Sequence, residues 1–173
     1  MNEPSPSLLT FYSGWAAFQK NLTKIIAPLA PEQLALPTAS QHWSIGIVAQ
    51  HIVANRVWWF QMWMGEGNPE LALIAHWDPQ DEHMVQPALN AAELVAGLEA
   101  TWQMIAESLS RWTAADLAQV FPPPAAMSAE ERQHTPERTR QWIIWHVLEH
   151  EILHVGELSL ALGTLGLATI YGI

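Results

Sequence analysis

The chain has 173 residues, half of them apolar and 14% charged, with 17 Asp and Glu against 7 Lys and Arg. This length and apolar content predict one domain, residues 1–173, with a sizeable core. A net charge of −10 lacks the concentrated basic surface that nucleic acids and anionic membranes require, so we expect neither as a partner. With no cysteine, the chain has no disulfide, thiolate metal ligand or cysteine nucleophile.

Neither end of the sequence is typical of export or membrane insertion. The first ten residues lack the basic and apolar regions of a signal peptide. The uncharged stretch from Leu158 to Ile173 is shorter than the roughly 20 residues that span a bilayer, and it is interrupted by glycines. We therefore expect a cytoplasmic protein.

Apolar residues recur every three or four positions in four segments, which is the period of an amphipathic helix. The first segment runs from about Ser7 to Leu29. The second follows Ser44, a residue type that favours helix N-caps, and runs to about Met64. Residues 66–89 contain several prolines and acids, and we predict a long connection there.

The third and fourth helices have stronger start signals. Asn90 and Glu93 have the spacing of a capping box, and the apolar stripe behind them extends to Trp112. Thr135 as N-cap with Pro136 in the first turn predicts a fourth helix that continues to about Leu162. No run of alternating polar and apolar residues predicts a strand. The predicted fold class is all-α, a four-helix bundle.

The fourth helix carries an unusual set of polar residues on its core-facing side. At about 100° per residue, His146, His154 and Glu157 all lie within about 40° of His150. Buried polar groups are costly without partners, and a metal ion would satisfy these. Histidines spaced i, i+4 can bind one ion, whereas His146 and His154 lie about 12 Å apart along the axis. One ion therefore cannot hold all three, and a further ligand must come from another helix.

The second helix offers such a ligand. His51 points into its apolar sector, with Asn55 and Trp58 close to the same direction. His51 can be interpreted as a metal ligand or as a lone core histidine bonded to a carbonyl. Composition and spacing leave both interpretations open.

One known motif fits this region poorly. Residues 150–154 spell H-E-x-x-H, the zinc protease motif, in which Glu151 would be the general base. The extended motif requires Gly at 157 and His at 160, where this chain has Glu157 and Leu160. The alternative of a distant glutamate ligand leaves almost no chain to supply it. The sequence therefore disfavours a protease.

A second pattern fits better. The segments WSI at 43–45, QHIVANRVWW at 50–59 and WHVLEHEILHVGEL at 145–158 resemble the DinB-like superfamily, which includes YfiT-type bacillithiol transferases and mycothiol-dependent maleylpyruvate isomerases. The family pattern is a histidine in helix 2 and a late H-x-x-x-H followed by x-G-[QE]. The resemblance implies an up-down-down-up bundle that holds a divalent ion, commonly zinc or nickel, through His51, His150 and His154. Val155 stands where many relatives have a basic residue.

The resemblance also guides the functional expectation. It implies a thiol S-transferase-like enzyme that uses a diffusible bacillithiol, mycothiol or glutathione as cosubstrate with a small-molecule electrophile. A metal-dependent hydrolase and a non-catalytic metal- or ligand-binding bundle are the alternatives. Glu157 is expected to orient a ligand imidazole or to lie in solvent near the helix end. We expect His146, Asn55 and Trp58 to lie directly behind the metal ligands or in the wall of the pocket.

Helix 2 also predicts an association. Opposite His51 it carries a second apolar face, which must be buried against something. The 66–89 connection, the C-terminal tail or a second copy of the chain could cover it, and we expect a homodimer. The second apolar face consists of Ile45, Ala49, Val53, Phe60 and Trp63.

Overall fold

A computed structural model of the chain describes residues 5–38, 43–77 and 89–172. The protein is mostly helical, as predicted. Its α-helices are α1 Leu8–Phe11, α2 Ser13–Ile26, α3 Pro31–Leu34, α4 Ile45–Arg56, α5 Ala91–Arg111, α6 Ala129–His134 and α7 Arg140–Thr164. A π-helix spans Val57–Trp63, and 3₁₀-helices span Pro69–Trp77 and Ala114–Ala118. Two short strands, β1 Val120–Phe121 and β2 Arg138–Thr139, pair antiparallel.

The first predicted helix is split at Tyr12, whose backbone leaves the helical region. The N–H of Leu8 donates to the carbonyl of Trp112 at 2.7 Å, which holds α1 against the end of α5. The break at Tyr12 therefore accompanies a contact between α1 and a distant part of the chain.

The second predicted helix begins where the sequence indicates. The hydroxyl of Ser44 accepts from the backbone N–H of Ile47 at 3.3 Å, as expected of an N-cap. The last seven residues, Val57–Trp63, widen into a π-helix directly after α4. Such segments are rare and are frequent near functional sites.

The second apolar face of α4 is covered by the chain itself. Ile45, Ala49, Val53 and Phe60 are all completely buried. Helices α5 and α7 pack on α4, and so does the 3₁₀-helix Pro69–Trp77, which belongs to the predicted connection. This burial removes the observation that led us to expect a homodimer. Residues 78–88 of the connection lie outside the described part.

The predicted start of the fourth helix is wrong. Thr135 terminates α6, and α7 begins only at Arg140, with the hydroxyl of Thr139 accepting from the N–H of Trp142 at 3.2 Å. The intervening residues pair with β1, and Arg140 N–H extends that pairing to the carbonyl of Gln119 at 2.8 Å. The expectation of no strand is therefore also wrong, because a long-range pairing overrides a favourable local helix signal.

The core consists of two clusters of buried apolar side chains. One joins α2, α4, α5 and the second half of α7, and the other joins α1, the π-helix, the end of α5 and the first half of α7. The capping box at the start of α5 forms as predicted, with Glu93 N–H donating to Asn90 Oδ1 at 3.0 Å. Within the described residues, no helix is long and apolar enough to cross a membrane.

Candidate metal centre

Three histidines from two helices meet where α4 packs on α7. His51 lies on α4, while His150 and His154 lie one turn apart on α7. The spacing of four residues places the latter two side chains on the same face of their helix. We call these three residues the His cluster.

The ligand atoms of the His cluster converge closely. The Nε2 atoms of His51 and His150 are 2.9 Å apart, and one nitrogen from each of the three rings lies within 4.8 Å of the others. The ring centroid of His51 lies 4.7 Å from that of His150 and 5.0 Å from that of His154. Imidazole nitrogens bind zinc and related ions at about 2.0–2.1 Å, so the donor set suits one such ion.

Burial shifts one member of the His cluster towards the state that binds metal. It lowers the pKa of His154, an effect that His51 reinforces and that the nearby Glu157 opposes. The neutral ring, which this shift favours, is the form that coordinates metal ions. His150 and His154 are both partly buried, with 14% exposure for the side chain of His154, whereas His51 is almost wholly buried. The partly exposed members of the cluster are therefore the two on α7.

Glu157 lies beside the His cluster rather than in solvent. Its Oε2 is 3.2 Å from Nδ1 of His154, and its Oε1 accepts from the hydroxyl of Thr38 at 2.7 Å. The indole of Trp43 lies 4.7 Å from the ring of His51 and 5.9 Å from that of His154. Glu157 is therefore positioned as expected of a residue that orients a ligand imidazole, and that role stays a prediction. Sequence reasoning did not single out Thr38 or Trp43 as neighbours of the cluster.

The remaining predicted site residues lie towards the other end of α7. The ring of His146 stacks on Trp142 at 4.7 Å, and its centroid is 6.0 Å from that of His150, outside the His cluster. Burial lowers the pKa of His146 as well, and the charge of Arg138 adds to that effect. Asn55 is buried one turn beyond His51, and within the described part of the chain its Nδ2 has no hydrogen-bond partner. Trp58 packs on the second core cluster.

Glu151 occupies a different environment from the one expected. Its side chain is fully buried on a flank of α7, about 100° around the helix from His150, where Arg56 meets it through Nε at 2.6 Å and Nη2 at 2.9 Å. The indole N–H of Trp15 donates to the same carboxylate at 2.9 Å. Glu151 is therefore bonded at both oxygens and is unable to serve as a general base, which removes the protease interpretation.

The partners of Arg56 complete what we call the Arg56–Glu151 network. Its guanidinium also donates to the carbonyl of Leu98, to the hydroxyl of Thr101 and to Oε1 of Gln19, so all five N–H groups are bonded. Sequence reasoning missed this network. The available signal was Arg56 itself, because a lone cation in an otherwise apolar helix requires a buried partner.

The family of the protein can be stated from sequence similarity. A model of the DinB superfamily matches residues 15–158. The chain belongs to the DinB superfamily. A crystal structure of a DinB-like protein from Bacillus cereus has a similar fold, with a TM-score of 0.66 and 19% identity over 96% of this chain and 97% of that chain. Among curated proteins, none matches the chain.

Membership in the DinB superfamily agrees with the resemblance seen in the sequence. The matched region begins at Trp15 and ends at Leu158, so it contains every member of the His cluster and of the Arg56–Glu151 network. The fold is therefore DinB-like, and its three histidines form a group that could hold a metal ion.

Proposed function

We propose that this DinB-superfamily protein is a metal-dependent enzyme that transfers a low-molecular-weight thiol to a small electrophile. In this proposal the His cluster holds one divalent ion, zinc or nickel. The observation that carries it is the convergence of three imidazole nitrogens within 4.8 Å, two of them 2.9 Å apart. An ion bound by three neutral ligands keeps its charge and an open position, where it lowers the pKa of a bound thiol or water.

The source of the thiol follows from composition. The chain has no cysteine, so the sulfur must belong to a diffusible molecule such as bacillithiol, mycothiol or glutathione. A free thiol has a pKa of about 8.5 and is only partly ionised at neutral pH, so a site that lowers the pKa of the thiol would increase its reactivity. Glu157 and Thr38 would hold the ring of His154 in place.

The residues between the His cluster and the start of α7 suit a small organic substrate. Trp59 contacts both Trp142 and His146, at 5.1 and 4.9 Å, and these half-buried rings form an aromatic wall. The guanidinium of Arg138 lies 4.1 Å above Trp142, and no carboxylate among the described residues pairs with it. Asn55 precedes Trp59 by one helical turn, and its buried Nδ2 has no hydrogen-bond partner among the described residues. A planar anion would find a stacking surface and a cation along this wall.

The activity is tested by assaying metal-loaded protein with a generic electrophile and a panel of thiols. We expect turnover that requires both metal and one class of thiol, and we expect His51→Ala to abolish it because that variant removes a ligand. Metal-dependent turnover without any thiol would favour a hydrolase. Metal binding without turnover in any combination would favour a non-catalytic binding protein.

We also propose that the four long helical regions form an up-down-down-up bundle. Contacts between neighbouring helices support this order. Along two parallel helices the numbers of contacting residues rise together, whereas along antiparallel helices one rises as the other falls. On this basis α2 would be antiparallel to α5, α4 parallel to α5, and α4 antiparallel to α7. The pairs are Trp15–Trp102 and Gln19–Leu98, then Arg56–Leu98 and Phe60–Trp112, then His51–His154 and Trp59–His146. A homodimer, a cytoplasmic location and the lack of a nucleic-acid partner stay predictions.

A further inference from the structure

The Arg56–Glu151 network poses a question that its hydrogen bonds alone do not answer. The chain has only seven Lys and Arg, and it places one of them in complete burial against a carboxylate that is also completely buried. A buried ion pair is weak support for stability, since apolar residues of similar volume often serve as well. Buried polar groups can instead fix which of several packings a helix adopts.

Helix α4 is a helix whose packing needs such a constraint. Every residue of α4 except Ile47 is buried, and its four polar residues are not confined to one face. A helix that is buried on all sides has no solvent-facing polar side to fix its rotation. Sliding by one turn displaces it by about 5.4 Å, which replaces one set of aliphatic contacts with another. The apolar core therefore specifies the register of α4 only weakly.

The His cluster tolerates no such displacement. His51 is brought to 2.9 Å from His150 across the α4–α7 interface, and a shift of one turn would separate them. The Arg56–Glu151 pair crosses the same interface. Glu151 directly follows His150 in α7, and Arg56 lies five residues after His51 in α4, so both members are close to the ligands along their own helices.

The network also ties α4 and α7 to the other two long helices. Arg56 donates to Gln19 of α2 and to Leu98 and Thr101 of α5, while Trp15 of α2 donates to Glu151. The two-point contact between guanidinium and carboxylate fixes direction as well as distance. Four helices therefore share one polar junction, and an altered register of α4 would break every bond that Arg56 makes in it.

We infer that Arg56 and Glu151 are positioning residues, which set the register of α4 against α7 and thereby bring His51 to His150 and His154. This inference rests on the proposed metal-binding function of the His cluster. It assigns the ion pair to the geometry of the site rather than to the stability of the fold. Removing the pair should therefore weaken metal binding more than an equally destabilising change elsewhere in the core.

The test compares Glu151→Gln with Leu109→Ala by titrating the metal-free proteins with Co²⁺ alone and recording thermal unfolding. Leu109 is fully buried in the second core cluster, about 12 Å along α5 from Thr101. It belongs neither to the His cluster nor to the Arg56–Glu151 network. We expect both variants to unfold at lower temperature. Only Glu151→Gln should bind Co²⁺ about tenfold or more weakly, the loss typical of residues that support metal ligands.

A second variant guards against misfolding of Glu151→Gln, which leaves Arg56 without its counter-charge. The double variant Arg56→Met with Glu151→Met removes both charges, so no lone ion is buried. It should unfold cooperatively yet bind Co²⁺ about tenfold more weakly, with an altered visible Co²⁺ spectrum. Wild-type affinity and spectrum in that double variant would overturn the inference, as would equal losses of affinity in Glu151→Gln and Leu109→Ala. Failure of the wild-type protein to bind Co²⁺ would instead overturn the proposed metal function.

Discussion

Two polar clusters lie side by side on α7, and neighbouring residues, His150 and Glu151, belong to different ones. In the Arg56–Glu151 network, donors and acceptors are complementary and every N–H of the guanidinium is bonded within the protein. In the His cluster, three chemically identical rings bring nitrogen atoms together. Two neutral imidazoles can share one hydrogen bond, but three converging rings are a set of ligands.

The two clusters show that buried polar groups can have different roles. A network that satisfies itself needs no further component, and its chemistry is closed to substrate. A convergence of three imidazoles is a group that could hold a metal ion. Removal of members of each cluster should therefore affect stability and metal binding separately.

The largest loss of stability should come from Arg56→Met. This change leaves the carboxylate of Glu151 buried without its counter-charge, and breaking a buried pair in this way costs about 3–5 kcal/mol. Urea unfolding monitored by tryptophan fluorescence measures the effect. The matched control is Arg132→Met, because Arg132 is exposed in α6, and it should change stability by less than about 0.5 kcal/mol. Equal effects of the two changes would contradict the account of the network.

Metal removal should have the next largest effect on stability. A ligand that binds only the folded state stabilises it by about 2.7 kcal/mol when its free concentration is 100 times its Kd. Unfolding of the metal-loaded protein should therefore occur at lower temperature after addition of a chelator. In His51→Ala the chelator should have no effect. A chelator-dependent shift of wild-type size in that variant would place the ion somewhere other than the His cluster.

Glu157→Gln should have a smaller effect, confined to metal affinity. The change keeps the shape of the side chain and the hydrogen bond from Thr38, but it removes the negative charge 3.2 Å from Nδ1 of His154. Loss of such a supporting carboxylate typically weakens metal binding about 10–100-fold. Competition with a coloured chelator measures the affinity. Unchanged affinity would show that Glu157 does not orient the ligand ring.

The smallest effect should come from Asn90→Ala, which lies outside both clusters. It removes the acceptor for Glu93 N–H at the start of α5 and should cost about 1 kcal/mol. Metal affinity should stay at the wild-type value, since no member of the His cluster is in contact with this cap. A fall in affinity here would mean that any loss of stability weakens the site, and would remove the distinction between the two clusters.

Local signals in the sequence predicted the parts of the fold that local bonds determine. Ser44 and Asn90 cap helices where expected, because each bonds to a backbone group three residues away. His150 and His154 face the same way because they are one helical turn apart, and His51 was expected to face the same core. Their convergence therefore followed from helical periodicity, with family resemblance deciding which pair on α7 joins His51.

The features that sequence reasoning missed depend on contacts between distant segments. The start of α7 moved from Thr135 to Arg140 because residues 138–139 pair with residues 120–121. Glu151 lies on a flank of α7 that meets α2 and α4, and Trp15 and Arg56 of those helices supply its partners. The second face of α4 predicted burial correctly, and the described residues that pack on α4 belong to the same chain. The homodimer stays a prediction, since periodicity shows that a face is covered without showing by what.

The most direct test of the account is the metal content of protein produced without a histidine tag, measured by elemental analysis for the wild type and two variants. We expect about one divalent ion per chain in the wild type, as a single three-histidine site predicts. His146→Ala should retain the ion, because His146 lies outside the His cluster, whereas His150→Ala should lose it. An equal loss in both variants, or a wild-type protein that takes up no ion when metal is supplied, would contradict the assignment of His51, His150 and His154 as the metal site.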